Sequence, residues 1–206
     1  MIATHNGISE KGIPRIDIGK YPAVKKHLDF YWKKIETRSD QGDTPYNLRS
    51  CAYMDDFSKP KIAWAETMRI RKENIERFPR FSYTAKPYFT DKTCFIMVGK
   101  DLKYLLSFLN SIIGRYQFSQ TVSMMDNGGY LMQKIYVEQI KVCKLKEEIK
   151  TQLAVLVDSL IDISEEELSS ENFENQIDSI VFNSFGITAN EQKYLKEILS
   201  KPLDRQ

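Results

Sequence analysis

Histidine and cysteine are scarce in this chain, and the scarcity limits its chemistry. His5 and His27 are the only imidazoles, and Cys51, Cys94 and Cys143 are far apart with no Cys-x-x-Cys pair. A zinc site needs about four clustered nitrogen and sulfur ligands, so none is expected. The three thiols sit in apolar or strand-like surroundings and read as buried reduced cysteines of a reducing compartment. His27, beside Lys25 and Lys26, reads as a helix-face residue without a catalytic partner. Long apolar runs are also missing, and no stretch approaches the roughly 18 uninterrupted residues of a membrane helix. Residues 1–7 lack a basic region followed by an apolar one, so nothing marks them for export and the expected location is the cytoplasm.

Catalytic signatures are missing as well. An adenine methyltransferase requires a Gly-rich loop after a strand for its methyl donor and an Asn/Asp-Pro-Pro-aromatic loop to hold the flipped base. Thr44-Pro45-Tyr46 lacks the Asn or Asp at its first position and the second proline of that loop, and reads as a turn. A nuclease needs clustered acidic metal ligands near a lysine. Glu191-Gln192-Lys193 is one fragment of that spacing, on a segment that reads as helix without an upstream Pro-Asp partner. The chain is therefore expected to carry no catalytic residue.

What is present is a strong segregation of charge. The 206 residues carry a net charge of only +2. Residues 1–146 hold 25 Lys and Arg against 15 Asp and Glu, while residues 147–206 hold 5 against 13. A basic body of +10 and an acidic tail of −8 suit a protein that meets phosphates with one part and protein with the other.

Local patterns place these charges on elements. Residues 21–38 read as a helix, with Val24, Leu28, Tyr31 and Ile35 at helical spacing. Residues 61–66, 81–85 and 93–98 read as strands, being short and rich in aromatic and branched side chains. Residues 101–118 read as one helix with a wide apolar face. Ser123-Met124-Met125-Asp126-Asn127-Gly128-Gly129-Tyr130 contains strong turn residues, and 131–142 is expected to hold one or two strands. From Glu147 onward the stripes Ile149, Leu153, Leu156, Val157, Leu160, Ile161 and Phe173, Ile177, Ile180, Val181 read as helices. Thr188-Ala189-Asn190-Glu191 reads as a capping box opening a third.

In order along the chain stand Gly12-Ile13-Pro14-Arg15-Ile16-Asp17-Ile18, Tyr21-Pro22-Ala23-Val24-Lys25-Lys26-His27-Leu28, Thr44-Pro45-Tyr46-Asn47-Leu48-Arg49-Ser50-Cys51-Ala52-Tyr53 and Pro60-Lys61-Ile62-Ala63-Trp64-Ala65-Glu66. Pro79-Arg80-Phe81-Ser82-Tyr83, Thr93-Cys94-Phe95-Ile96-Met97-Val98 and Tyr136-Val137-Glu138-Gln139-Ile140 follow. In that order and spacing the chain resembles the TaqI-like C-terminal specificity domain of restriction–modification enzymes, especially type IIG proteins that fuse nuclease, adenine methyltransferase and specificity module. The resemblance implies an α+β target-recognition domain over 1–146, a small mixed or antiparallel sheet flanked by helices, with 136–140 as its closing strand. A helical C-terminal extension over 147–206 follows and is the part suspected of docking on a partner.

The implied function is recognition of double-stranded DNA on behalf of a methyltransferase and nuclease portion supplied in cis or in trans. S-adenosylmethionine and Mg2+ belong to that other portion, and no cofactor is expected in this chain. Beginning at a Met shortly before Gly12, the chain reads as either a piece of a longer enzyme or a separately encoded subunit. Lysine and arginine would neutralise phosphates, while Arg or Lys suits guanine and Asn or Gln suits adenine at base edges. The expected DNA-contacting cluster is Arg69, Arg71, Lys72 and Arg77, with Lys86 beyond the following strand. Asn127, Tyr130, Gln133 and Lys134 stand around the Gly128-Gly129 turn, and Arg49 is a further candidate. The competing expectation is a protein-interaction module that has lost DNA binding. The two differ in whether Arg69, Arg71, Lys72, Lys86 and Lys134 converge on one face.

Overall fold

In a computed structural model the chain is α+β, and residues 2–70, 78–125, 129–162 and 171–200 are described. It divides into two compact units, Met1–Asp55 and Asp56–Gln206. The division falls at Asp55/Asp56.

The first unit is organised by polar contacts. Two 3-10 turns, Ser9–Lys11 and Ile18–Lys20, precede helix α1 (Pro22–Phe30) and the short α2 (Trp32–Ile35). Pro22 stands at the first turn of α1, where its missing N–H costs nothing. The single helix expected over 21–38 is thus two pieces. Tyr31, at φ −101° and ψ 15°, interrupts the α geometry between them. Gly7 takes φ +85°, and a Cβ there would lie 2.6 Å from the Ile13 carbonyl oxygen, so only glycine fits this approach.

Asn47 is the hub of this unit. Its amide Nδ2 donates to the carbonyls of Ile16 (3.0 Å) and His5 (3.4 Å), and its Oδ1 accepts from the Thr44 hydroxyl (2.6 Å). The Asn47 carbonyl accepts from the Arg38 guanidinium at 2.5 Å, and that guanidinium also donates to Pro45 O at 3.1 Å. Thr44-Pro45-Tyr46-Asn47 is the turn the sequence indicated, closed by Asn47 N–H to Thr44 O at 2.9 Å. Among the described residues of the unit only Thr4 and Asn47 are buried, and no apolar side chain is.

The second unit holds the hydrophobic core. Strand β1 (Lys61–Ala65) is central in an antiparallel sheet ordered β3-β1-β4, with β3 at Ser82–Thr84 and β4 at Cys94–Met97. These are the three strands expected, β1 shorter by one residue at its end and β3 and β4 by one residue at each end. A second antiparallel sheet, ordered β2-β6-β5, joins β2 (Thr67–Met68), β5 (Ser123–Met124) and β6 (Tyr130–Leu131). Glu66 links the sheets, its N–H bonding Thr93 O and its carbonyl accepting from Met132 N–H. The indole N–H of the buried Trp64 donates to Met132 O at 2.8 Å, fixing the same junction.

Helices cover these sheets. The expected helix over 101–118 is two, α3 (Leu102–Asn110) and α4 (Ile112–Thr121). Ser111 is extended at φ −73°, ψ 166°, and caps α4 by accepting from Gly114 N–H at 3.1 Å. A Cβ on Gly114 would come within 2.2 Å of Phe108 O, so the two helices meet too closely for any larger residue. Residues 131–142 were expected to hold strands, the last near 136–140. Beyond Leu131 the chain instead forms α5 (Lys134–Val137), because Met132 is fully buried at the sheet junction and Gln133 opens a helical turn there.

Helices α6 (Glu147–Asp162), α7 (Glu171–Phe185) and α8 (Ala189–Leu199) pack into the same unit, α6 on α3 and α7, and α8 on α4. Leu153, Leu156, Val157, Ile177 and Val181, all from the helical stripes, are buried in one core with Trp64, Phe108 and Phe118. Residues 147–200 are therefore part of that core where described. The capping box is present, with the Glu191 carboxylate on Thr188 N–H at 2.8 Å. Arg115, buried on α4, donates to the Leu199 carbonyl at the end of α8, a favourable place for a cation. No helix among the described residues is long and apolar enough to cross a membrane.

Candidate nucleic-acid interface

The pairing of the second sheet gathers two separate stretches of chain at one end. Met68 pairs with Tyr130, and Met124 pairs with the same residue. The chain leaving β2 at Arg69 and the turn between β5 and β6 therefore emerge side by side. That turn is closed by Met125 N–H to Gly129 O at 2.7 Å.

The segment leaving β2 is held firmly at both of its roots. Met68 and Phe78 are buried, and the Phe78 ring packs 4.4 Å from that of Tyr130. The N–H of Arg80 approaches the Met68 sulfur at 3.4 Å, so the returning chain passes beside the point of departure. Phe81 is then fixed by Asn110, whose side chain accepts from Phe81 N–H and donates to Phe81 O, each at 2.9 Å. Arg69 and Arg80 are exposed at these two roots. Basic residues flanked by rigidly held positions on a sheet are an arrangement suited to recognition, since the scaffold is fixed while side chains vary.

The other candidates are placed as follows. Arg71, Lys72, Arg77 and Asn127 lie outside the described residues. Tyr130 is 4% exposed and packs in the core, so its ring is not offered to a ligand. Its aromatic bulk is needed under the hairpin, against Phe78. Gln133 is half-buried at the start of α5, and the exposed Lys134 pairs with Glu138 at 3.3 Å, a surface pair of little energetic weight. Both follow β6 and so leave from the end of the sheet opposite Arg69. Lys86 lies beyond β3, whose Thr84 pairs with Lys61 at the start of β1. Five strand residues, roughly 17 Å, separate that end of β1 from its other end, which runs on to β2 and Arg69. Arg49 is exposed in the first unit, where its N–H bonds Asp40 O at 3.1 Å. The pairing register thus puts Arg69 at the same sheet end as Met125 and Gly129, while Lys134 follows the other end of β6 and Lys86 follows the end of β3 that pairs with the start of β1. Arg80 was not among the sequence candidates. Its signal was a proline-arginine step directly before a strand, at the point where the basic segment returns.

Buried polar groups near this region are already engaged. A cavity of about 180 Å3 lies between α3, α6 and α7, with Arg80, Asn110, Ser111, Glu174 and Asp178 in its wall. Asp178 Oδ1 accepts from Ile112 N–H at 2.8 Å, at the first turn of α4. Burial raises the Asp178 carboxyl to about 6, and Glu174 adds to this; the Ile112 hydrogen bond and Lys196 oppose it. A cleft of about 330 Å3 at the start of α3 contains Lys150. Its ammonium bonds Glu147 at 2.8 Å and Asp101 at 2.9 Å, which raise its pKa.

Burial also pushes the Cys94 and Cys143 thiols up, towards the unreactive protonated form. Among the described residues no group of three or more His, Cys, Asp or Glu could hold a metal ion. Glu191, the fragment of a nuclease-like spacing, is spent on capping α8.

No protein-family model matches the chain, and no curated protein matches it.

Proposed function

We propose that the chain is the sequence-reading DNA module of a type IIG-like restriction–modification enzyme, binding duplex DNA for a methyltransferase and nuclease portion outside this chain. The observation that carries the reading is that Arg69, Met125 and Gly129 stand at one end of the β2-β6-β5 sheet, over buried Met68, Phe78 and Tyr130. Arg69, Arg71, Lys72, Arg77 and Arg80 supply positive charge for phosphates and forked donors for guanine edges. S-adenosylmethionine and Mg2+ are assigned to the catalytic portion, and this chain to recognition alone.

A second reading is a protein-interaction module of a restriction–modification or related complex. It draws on the placement of Lys86 and Lys134 away from Arg69. Duplex binding by the whole chain across a salt series separates the two. The DNA reading predicts an affinity that falls steeply with salt and prefers one sequence. The interaction reading predicts no retention on DNA even at low salt.

A further inference from the structure

In the first unit, α1 and α2 carry a surface that the fold itself does not use. Neither helix has a buried residue. Phe30 is 82% exposed, and Tyr21 and Tyr31 are 49% and 40% exposed. A phenylalanine that open to water is unusual, and here three rings lie within eleven consecutive residues. The rings of His27 and Phe30 meet that of Tyr31 edge-on at 5.3 and 4.9 Å, so the aromatics form a small cluster.

Positive charge surrounds the cluster. Residues 20–35 contain Lys20, Lys25, Lys26, Lys33 and Lys34 against the single acid Asp29. Asp29 is already taken, accepting from Lys25 Nζ at 2.8 Å and from the Tyr46 hydroxyl at 2.6 Å. These two donors hold its carboxyl below the usual range. Lys34 lies 5.9 Å over the Tyr31 ring. Lys20, Lys26 and Lys33 have no carboxylate within ion-pair distance among the described residues. Lys26 and Phe30 are four apart on α1 and so share a face.

We propose that the α1–α2 surface is a landing site for an unpaired nucleic-acid strand, with Lys20, Lys26 and Lys33 on its phosphates and Phe30 stacked on a base. Charge complementarity selects a polyanion. The exposed rings select one whose bases are free to stack, because a duplex hides its base faces and would leave Phe30 without a partner. The segment is at most about 20 Å long, enough for roughly four nucleotides, the small end for a single-strand platform. Stacking is tolerant of sequence, so this surface would add grip without specificity. The proposal goes beyond duplex recognition and does not depend on it.

The test is fluorescence anisotropy of the full chain with a labelled oligothymidine of about 12 nucleotides, and in parallel with a random-sequence duplex. The expected result is salt-sensitive binding of the oligothymidine by the unchanged protein. Phe30→Ala should weaken it roughly tenfold and leave duplex affinity unchanged. Lys26→Gln with Lys33→Gln should lower affinity and reduce the single-strand salt slope by about 1.4. All three side chains are exposed, and circular dichroism checks that the variants remain folded. Failure to bind the oligothymidine near 50 mM salt, or equal binding by Phe30→Ala, overturns the proposal. Binding to anionic phosphatidylserine vesicles with none to the oligothymidine would overturn it in favour of a membrane surface. Loss of duplex selectivity tests the other reading separately, since Phe30 takes no part in it.

Discussion

Asp178→Asn should stabilise the second unit at neutral pH and do nothing for it in acid. The Asp178 carboxyl is raised from 3.8 to about 6, mainly because burial penalises its charged form. Between those two values the folded chain binds more protons at this site than the unfolded chain. The site's contribution to stability therefore falls as pH rises through that window, and the whole penalty stands above pH about 6. A shift of about two units corresponds to about 3 kcal/mol as an upper bound. The asparagine carbonyl can still accept from Ile112 N–H, but the favourable interaction of an anion with the start of α4 is lost, worth about 0.3–1 kcal/mol.

The net gain should be about 1–2 kcal/mol near pH 7.5, or several degrees in Tm for a unit of this size. Near pH 3.5, below both values, the gain should vanish. Denaturant melts at the two pH values, followed by Trp64 fluorescence in a Trp32→Phe background, report the second unit alone, because the two tryptophans lie in different units. Asp178→Ala is the control, since it leaves the Ile112 N–H without its acceptor and should be less stable than Asp178→Asn. A loss of stability in Asp178→Asn at pH 7.5, or the same difference at both pH values, would show that the buried Asp178 carboxylate carries no such penalty.

Two further substitutions probe the polar frame. Asn47→Ala leaves the carbonyls of His5 and Ile16 and the Thr44 hydroxyl without their partner. It should cost the first unit about 2–4 kcal/mol, read as lost hydrogen-exchange protection within residues 2–55 and none elsewhere. Lys61 is 1% exposed, and its ammonium donates to Lys59 O and Lys86 O, each at 2.9 Å. Those carbonyls belong to exposed residues and can turn to water, so Lys61→Met, which keeps the packed stem, should cost about 1 kcal/mol. Lys61→Ala should cost about 2–4 kcal/mol through the cavity it opens. Equal losses in chemical denaturation would show that the ammonium, not the stem, is what β1 needs.

Short-range patterns in the sequence carried the elements whose periodicity is uninterrupted. The strands at 61–66, 81–85 and 93–98 and the capping box at Thr188 were legible because alternation and cap chemistry are local. The breaks at Tyr31 and Ser111 were not, because apolar spacing runs straight through both positions. The break at Ser111 comes with contacts remote in sequence or specific to the fold: Ile112 N–H bonds Asp178, 66 residues further on, and Gly114 passes close to Phe108 O. The strand expected near 136–140 became α5 for a similar reason, as Met132 is buried by its junction with Glu66 and Trp64.

At the candidate interface, charge identified the basic residues, and pairing register placed Arg69 at the same sheet end as Met125 and Gly129. The part Tyr130 plays was not legible in the same way. A tyrosine after Gly-Gly looks the same in sequence whether its ring faces a ligand or supports the hairpin from below. Phe30 stands outside the Val24, Leu28, Tyr31 and Ile35 stripe, whereas Tyr31, on the stripe and so read as packed, is exposed as well.

The most direct measurement is selection of the whole chain against a randomised duplex library, sequencing what is retained, with Arg69→Ala/Arg80→Ala alongside. The expected result is enrichment of one short site by the unchanged protein, and loss or change of that preference in the variant while salt-sensitive retention persists. Retention of nothing at low salt, or the same preferred site in both proteins, would contradict it.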